Sequence, residues 1–134
     1  MLEIAREILK TKKVFALIGV TQDKTKYGYE VFHALNEFGY KVYPVNPKYG
    51  EVDGVKCYAS LKELLEKPEV VIVALSPVNT EKIIEGMDVK DVKTIWMPPG
   101  CWSEEAVNKC ESKGMDLVYD VCPVGVLLSM KRES

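Results

Sequence analysis

Apolar residues along this chain fall into two alternating patterns. Short continuous runs read as buried strands: Val14–Ile18, Lys41–Asn46, Val70–Leu75, Thr94–Met97 and Met115–Tyr119. Val70–Leu75, with three valines and one isoleucine between Pro68 and Pro77, suits a central parallel strand covered on both faces. Between the runs, apolar positions recur at helical spacing. Leu2, Ile4, Ala5, Ile8 and Leu9 open the chain with an amphipathic helix. Val31, Leu35 and Phe38 form a second stripe, ended by Gly39, which leaves His33 on or near the outer face.

Three further helices are predicted from capping chemistry. Ser60-Leu61-Lys62-Glu63 has the form of a capping box and predicts a short helix with Leu61, Leu64 and Leu65 inward. Asn79 or Thr80 is the expected cap of the next, with Ile83 and Ile84 inward and Gly86 at its end. Ser103 caps another, with Glu104 and Glu105 in its first turn and Ala106, Val107 and Cys110 inward. The apolar tail after Cys122 predicts a last turn or short helix, packed on the domain or on another subunit.

Strands alternating with helices predict an α/β fold: a Rossmann-like, doubly wound sheet of about five mainly parallel strands, with right-handed crossovers and helices on both faces. Residues 1–134 contain no linker, repeat or low-complexity segment, so a single domain is expected. In such a sheet a ligand lies outside the C-terminal strand ends, where strand order reverses. Those ends are Gly19-Val20-Thr21, Asn46-Pro47-Lys48, Ser76-Pro77-Val78, Pro98-Pro99-Gly100 and Asp120–Pro123.

The loop after the first strand has the layout of a nucleotide-binding unit, in which phosphates rest on backbone N–H groups at a helix N-terminus. A dinucleotide fingerprint needs Gly-x-Gly-x-x-Gly there. This chain has Gly19-Val20-Thr21-Gln22-Asp23-Lys24, without two of the three glycines, and then Lys26 and Tyr27. NAD enzymes carry an acidic residue at the end of the second strand for the ribose 2′-hydroxyl. Asn46-Pro47-Lys48 stands there instead, and a lysine favours a phosphate near the ribose. NADP and coenzyme A both carry one. Lys24 and Lys26 add positive charge where a pyrophosphate would sit, although loop lysines are ordinarily just solvated.

Charge and composition narrow the classes further. A net charge of −2 disfavours broad nucleic-acid binding. No apolar run is long enough to span a membrane, and the charged N-terminus lacks the apolar core of a signal peptide, so a cytoplasmic protein is expected. Cys57, Cys101, Cys110 and Cys122 show no paired spacing and His33 is the only histidine, which disfavours a disulfide framework or a metal site.

Gly39 to Gly54 (GYKVYPVNPKYGEVDG), preceded by IGVT and KYGYEVFHAL, resembles the single-domain CoA-binding protein family, itself similar to the N-terminal CoA-binding domain of the succinyl-CoA synthetase α subunit. Trp96–Gly100, Ser103–Ala106, Lys113-Gly114 and Asp120-x-Cys122 continue the resemblance in collinear order. It implies that Gly19, Val20 and Thr21 lie against the CoA diphosphate. It also implies that Asn46, Pro47 and Lys48 face the adenosine 3′-phosphate end. Ser76, Pro77, Val78, Pro99 and Gly100 would line the groove for adenine or pantetheine. The family's usual Gly-Ala-Ser is Gly-Val-Thr here, and the residue before the closing cysteine, often basic, is Val121. Pro123–Val126 is closer to the CPG-type turn of the synthetase subunit.

No nucleophile–histidine set, paired carboxylates or metal cluster can be assembled from one histidine at these spacings. The expected function is binding of CoA or an acyl-CoA by a stand-alone module without catalysis of its own, with a protein partner or homo-oligomer as a further option. The alternative is a small NAD(P)-dependent oxidoreductase domain; a third reading is an interaction domain with a vestigial groove. Cys122, at a strand end beside the groove, is a candidate for disulfide exchange with the pantetheine thiol, and Cys101 is a second.

Overall fold

The structure, a computed structural model, describes residues 1–133. In chain order it contains α1 (Leu2–Thr11), β1 (Val14–Ile18), α2 (Tyr27–Glu37), β2 (Lys41–Val45), β3 (Glu51–Val52) and β4 (Val55–Lys56). A 3₁₀ turn (Leu61–Glu63), β5 (Val70–Val73), α3 (Pro77–Glu85), β6 (Thr94–Met97), α4 (Glu104–Ser112), β7 (Asp116–Tyr119) and α5 (Pro123–Glu133) follow. Five parallel strands form the main sheet in the order β2-β1-β5-β6-β7, while β3 and β4 make a small antiparallel hairpin. Counting main-sheet strands only, this is the 2-1-3-4-5 order, whose direction reverses between β1 and β5.

Strand side chains alternate between two cores, as a sheet covered on both faces requires. Phe15, Leu17, Val70, Ile72 and Trp96 pack under α1, α2 and α5, with Leu9, Phe32, Leu35 and Leu127. Ala16, Ile18, Val71, Val73, Ile95 and Met97 pack under α3 and α4, with Ile84, Met87, Ala106 and Cys110. His33 is exposed beside Glu37 on the outer face of α2, as its spacing predicts.

Three local expectations change. The Ser60 capping box yields only the 3₁₀ turn: the Ser60 hydroxyl reaches the Glu63 carboxylate at 3.5 Å rather than a backbone N–H, and Leu64 is extended. Glu66 is drawn across the sheet edge to Lys41 and Tyr43, which pulls the chain out of helical geometry and leaves Leu65 80% exposed. The third helix begins earlier than expected, because Pro77 at its first position needs no N–H partner and has a helical φ. Thr80 is fully buried with its hydroxyl on the Leu75 carbonyl, and of the two isoleucines only Ile84 is inward. Phe38 ends its helix 37% exposed. The tail, expected as a last turn or short helix, forms a helix packed on the domain, tied to α1 by Arg6, which donates to Ser129 and pairs with Glu133.

Candidate functional site

The strand-order reversal opens a crevice at Gly19. This residue has φ +92° and sits so close to β5 that an added Cβ would lie 2.3 Å from the Ala74 carbonyl oxygen. Its partner in the next helix is Gly28, where a Cβ would lie 2.4 Å from the Gly19 carbonyl oxygen. Gly28 therefore does the work of the third fingerprint glycine, allowing the helix to approach the strand, but nine residues on rather than five. The loop is longer than a dinucleotide loop, not simply poorer in glycine.

Between these glycines the loop is braced from within. Val20 is fully buried, so its side chain belongs to the core under α2 and cannot lie against a ligand; only its backbone faces the crevice. The Asn46 amide donates to the Val20 carbonyl at 2.8 Å and its oxygen accepts from Lys48 N–H at 2.9 Å. An aspartate here could not donate to Val20, which gives a structural reason for asparagine at the second strand end. Thr21 shares a hydrogen bond with the Tyr49 hydroxyl at 3.2 Å and accepts from Asp23 N–H. Asp23 accepts from the N–H and hydroxyl of Thr25, which hold its carboxyl below the usual range. Gln22 and Tyr29 tie the segment to the β3–β4 hairpin through Glu51 and Asp53. Lys24 and Lys26 stand exposed on the outside of the loop.

Helix N-termini in the crevice are left without side-chain caps. Lys26 before α2 and Ser76 before α3 make no side-chain capping bond, whereas α4, away from the reversal point, is capped by Ser103 accepting from Ala106 N–H at 3.0 Å. Uncapped first-turn N–H groups are the natural partners of an anion.

On one side of Gly19 lies an apolar pocket of about 530 Å³, walled by Ile18, Val45, Pro47, Leu75, Ile83 and Met87. Ser60, Lys62 and Lys82 also line it; Lys48 does not, and its ammonium lies 5.6 Å from the Tyr49 ring centroid, outside the pocket. On the other side, toward β6 and β7, the Tyr27 hydroxyl donates to Cys122 Sγ at 3.1 Å. Burial and that sulfur raise the Tyr27 phenol above its ordinary range, so it stays a donor. Trp96 holds the Val121 carbonyl at 2.8 Å, fixing the turn that presents Cys122. Cys101 is nearly buried, and burial pushes its thiol up. Pro99, Gly100 and Val78 are exposed along the rim, with Pro77 partly covered.

A larger hollow of about 660 Å³ opens at the opposite, N-terminal strand edge, away from the strand-order reversal, and several of its charged groups are engaged. Glu69 accepts from the N–H groups of Lys13 and Val14, and Lys67 reaches the Lys90 carbonyl and Asp91. We therefore place the candidate site at the C-terminal edge. Among the described residues no cluster of His, Cys, Asp and Glu fit for a metal ion occurs, and no helix is long and apolar enough to cross a membrane.

The family model described as a CoA binding domain matches residues 13–127. The chain belongs to this CoA-binding domain family. YneT of Bacillus subtilis is 30% identical over 117 residues, covering 87% of each chain. An ADP-forming acetate–CoA ligase of Methanocaldococcus jannaschii is 31% identical over 115 residues, which are 84% of this chain but 16% of that ligase. A solved hypothetical protein from Pyrococcus horikoshii OT3 superimposes with a TM-score of 0.89 at 34% identity, covering 98% of this chain and 92% of that one. The resemblance drawn from the sequence and the relatives found by comparison thus agree on a CoA-binding, Rossmann-like domain.

Of the residues expected at the site, Gly19, Asn46 and Pro47 line one pocket, Tyr27 meets Cys122, Lys48 stands outside the pocket lining and the Val20 side chain is buried in the core. Ser60, Lys62, Lys82 and Gly28 were not singled out as site residues by sequence. Gly28 carried a local signal, a glycine in the first turn of a helix where alanine would be better. The lysines carried none, because only the crossovers bring them to the pocket.

Proposed function

We propose that this domain binds coenzyme A or an acyl-CoA across the C-terminal edge of its sheet. The observation that carries the reading is the long, braced loop between Gly19 and Gly28, flanked by two helix N-termini without side-chain caps. Such a crevice suits a diphosphate, and the apolar pocket beside it suits a base. The Asn46-Pro47-Lys48 strand end then lies toward the phosphorylated ribose, and Ser76, Pro77, Val78, Pro99 and Gly100 border the path of the ligand. The pantetheine arm runs the other way, toward Tyr27 and Cys122. Without a catalytic set, the domain acts as a binding module that holds or delivers the coenzyme, alone or with a partner subunit.

Thermal unfolding in the presence of CoA, acetyl-CoA, NAD and NADP tests the reading. CoA at about a hundredfold excess over its Kd should add about 2.7 kcal/mol of stability. Stabilisation by NADP alone would replace the reading with a nicotinamide one, and no response to any of them would remove it. A second arm tests the thiol end. With CoA disulfide, the Cys122 thiolate attacks one sulfur, the S–S bond breaks, a CoA thiolate leaves and a protein–CoA disulfide forms. Intact-mass measurement should show one CoA adduct that Cys122→Ser abolishes; an unmodified wild type would mean that the arm does not end there.

A further inference from the structure

Two of the four cysteines stand at neighbouring strand ends, on the side of the crevice away from the apolar pocket. β6 and β7 are paired in parallel up to Met97 and Tyr119, and the Asp120 N–H extends the pairing to the Met97 carbonyl at 2.9 Å. Cys101 follows in the turn after β6, which its own N–H closes on the Pro98 carbonyl at 3.0 Å. Cys122 follows in the turn after β7, which Trp96 fixes through the Val121 carbonyl. Stacking of Trp102 on Tyr119, with ring centroids 4.9 Å apart, ties the two turns together. Paired strands lie about 4.8 Å apart, within the Cα separations a disulfide spans, so both turns leave the sheet side by side.

The surroundings of the two thiols differ. Cys122 is partly exposed, and its Sγ accepts from the Tyr27 hydroxyl at 3.1 Å. Cys101 is 7% exposed; burial above all, and the charge of Cys122 near it, push its thiol up. Burial, the bond to Cys122 and then the charges of both cysteines raise the Tyr27 phenol, so the phenol and the two thiols form one cluster. The remaining cysteines lie elsewhere: Cys57 is buried against the Asn46 carbonyl, and Cys110 sits in the core under α4. An accessible thiol with a covered one beside it is the arrangement of an attacking and a resolving cysteine. The first meets a disulfide from solution; the second is shielded from solution and reacts with what its neighbour holds.

We infer that Cys122 and Cys101 act as a dithiol pair that reduces the disulfide of the coenzyme, Cys122 attacking and Cys101 resolving. The inference rests on the coenzyme reading above and adds a reaction to it. The Cys122 thiolate attacks one sulfur of the bound CoA disulfide; that S–S bond breaks, one CoA leaves as a thiolate, and a Cys122–CoA disulfide forms. Cys101 then gives up its proton and attacks Cys122 Sγ. The second CoA leaves as a thiolate, which takes up a proton, and a Cys101–Cys122 disulfide remains. The coenzyme disulfide gains two electrons and the dithiol loses two, so one turnover needs no other reductant. An external dithiol such as dithiothreitol returns the chain to its reduced state by the same exchange.

The test mixes the reduced whole chain, freed of reductant, with one equivalent of CoA disulfide and quenches it in acid at intervals. Intact mass follows the protein and chromatography the released CoA. In wild type a single CoA adduct should rise and then decay. It should leave a chain two hydrogens lighter, two CoA released per chain and a Cys101–Cys122 cross-link in the non-reducing peptide map. Cys101→Ser and Cys101→Ala should both hold the adduct and release only one CoA, and Cys122→Ser should release none. Thermal stabilisation by CoA reports that each variant is folded. Glutathione disulfide should react roughly tenfold or more slowly, since it lacks the binding that holds a sulfur at Cys122. A lasting adduct in wild type, a cross-link to Cys57 or Cys110, or equal rates with the two disulfides would overturn the inference and leave the coenzyme reading intact. So would the absence of any reaction in a wild type that CoA stabilises, whereas no stabilisation by CoA would remove both.

Discussion

The Gly19–Gly28 loop and the Ser60–Leu65 segment border the same crevice, and they are held in opposite ways. The loop is fixed by backbone approaches that only glycine permits, by a buried valine and by the Asn46 amide. The segment has one 3₁₀ turn, an unrealised capping box and an 80% exposed leucine. A diphosphate cradle depends on N–H groups whose positions must not vary, so it is built from rigid backbone.

The sharpest way to break the contrast is at Gly28. In an ordinary helix, alanine would be more favourable than glycine by about 1 kcal/mol. Here the added Cβ meets backbone at 2.4 Å, so Gly28→Ala should instead destabilise by about 3 kcal/mol. Urea unfolding checks both sign and size; a stabilised variant would mean that helix and strand are not in close approach. A smaller loss is expected from Asn46→Ala, about 1–2 kcal/mol, because the Val20 carbonyl and Lys48 N–H lose their partner in a partly buried place. Asn46→Asp should recover only part of it, since it accepts from Lys48 but cannot donate to Val20. The smallest effect belongs to the loose wall. Ser60→Ala should change stability by less than about 0.5 kcal/mol, while Ser103→Ala, removing a realised cap, should cost about 1 kcal/mol. Equal losses would put the two serines in the same role and remove the contrast.

Much of the architecture was legible in the chain. The Val70–Val73 run announced a strand covered on both faces, and Pro47 and Gly39 marked element ends close to where they fall. Capping was legible where nothing competed for the residues, as at Ser103. It failed at Ser60, where Glu66 is claimed by Lys41 and Tyr43 from another strand. Asn79 and Thr80 failed as caps for a different reason: a proline two to three residues earlier is already a sufficient helix start. Gly19 and Asn46, which line the pocket, could be singled out because strand ends can be read locally. Val20 was placed against the ligand because the direction of a side chain in a loop depends on the helix packed above it.

The sequence by itself determined the α/β alternation, the parallel strands, the family and the edge of the sheet where a ligand is expected. These follow from local periodicity and from short segments whose chemistry is complete within themselves. Only the tertiary structure decided the strand order, the pairing of Gly19 with Gly28 and the presence of Lys62 and Lys82 in the lining of one pocket. Each of these joins residues from separate crossovers. What brings them together is the burial of both sheet faces, a property of the whole domain that no short stretch of chain contains.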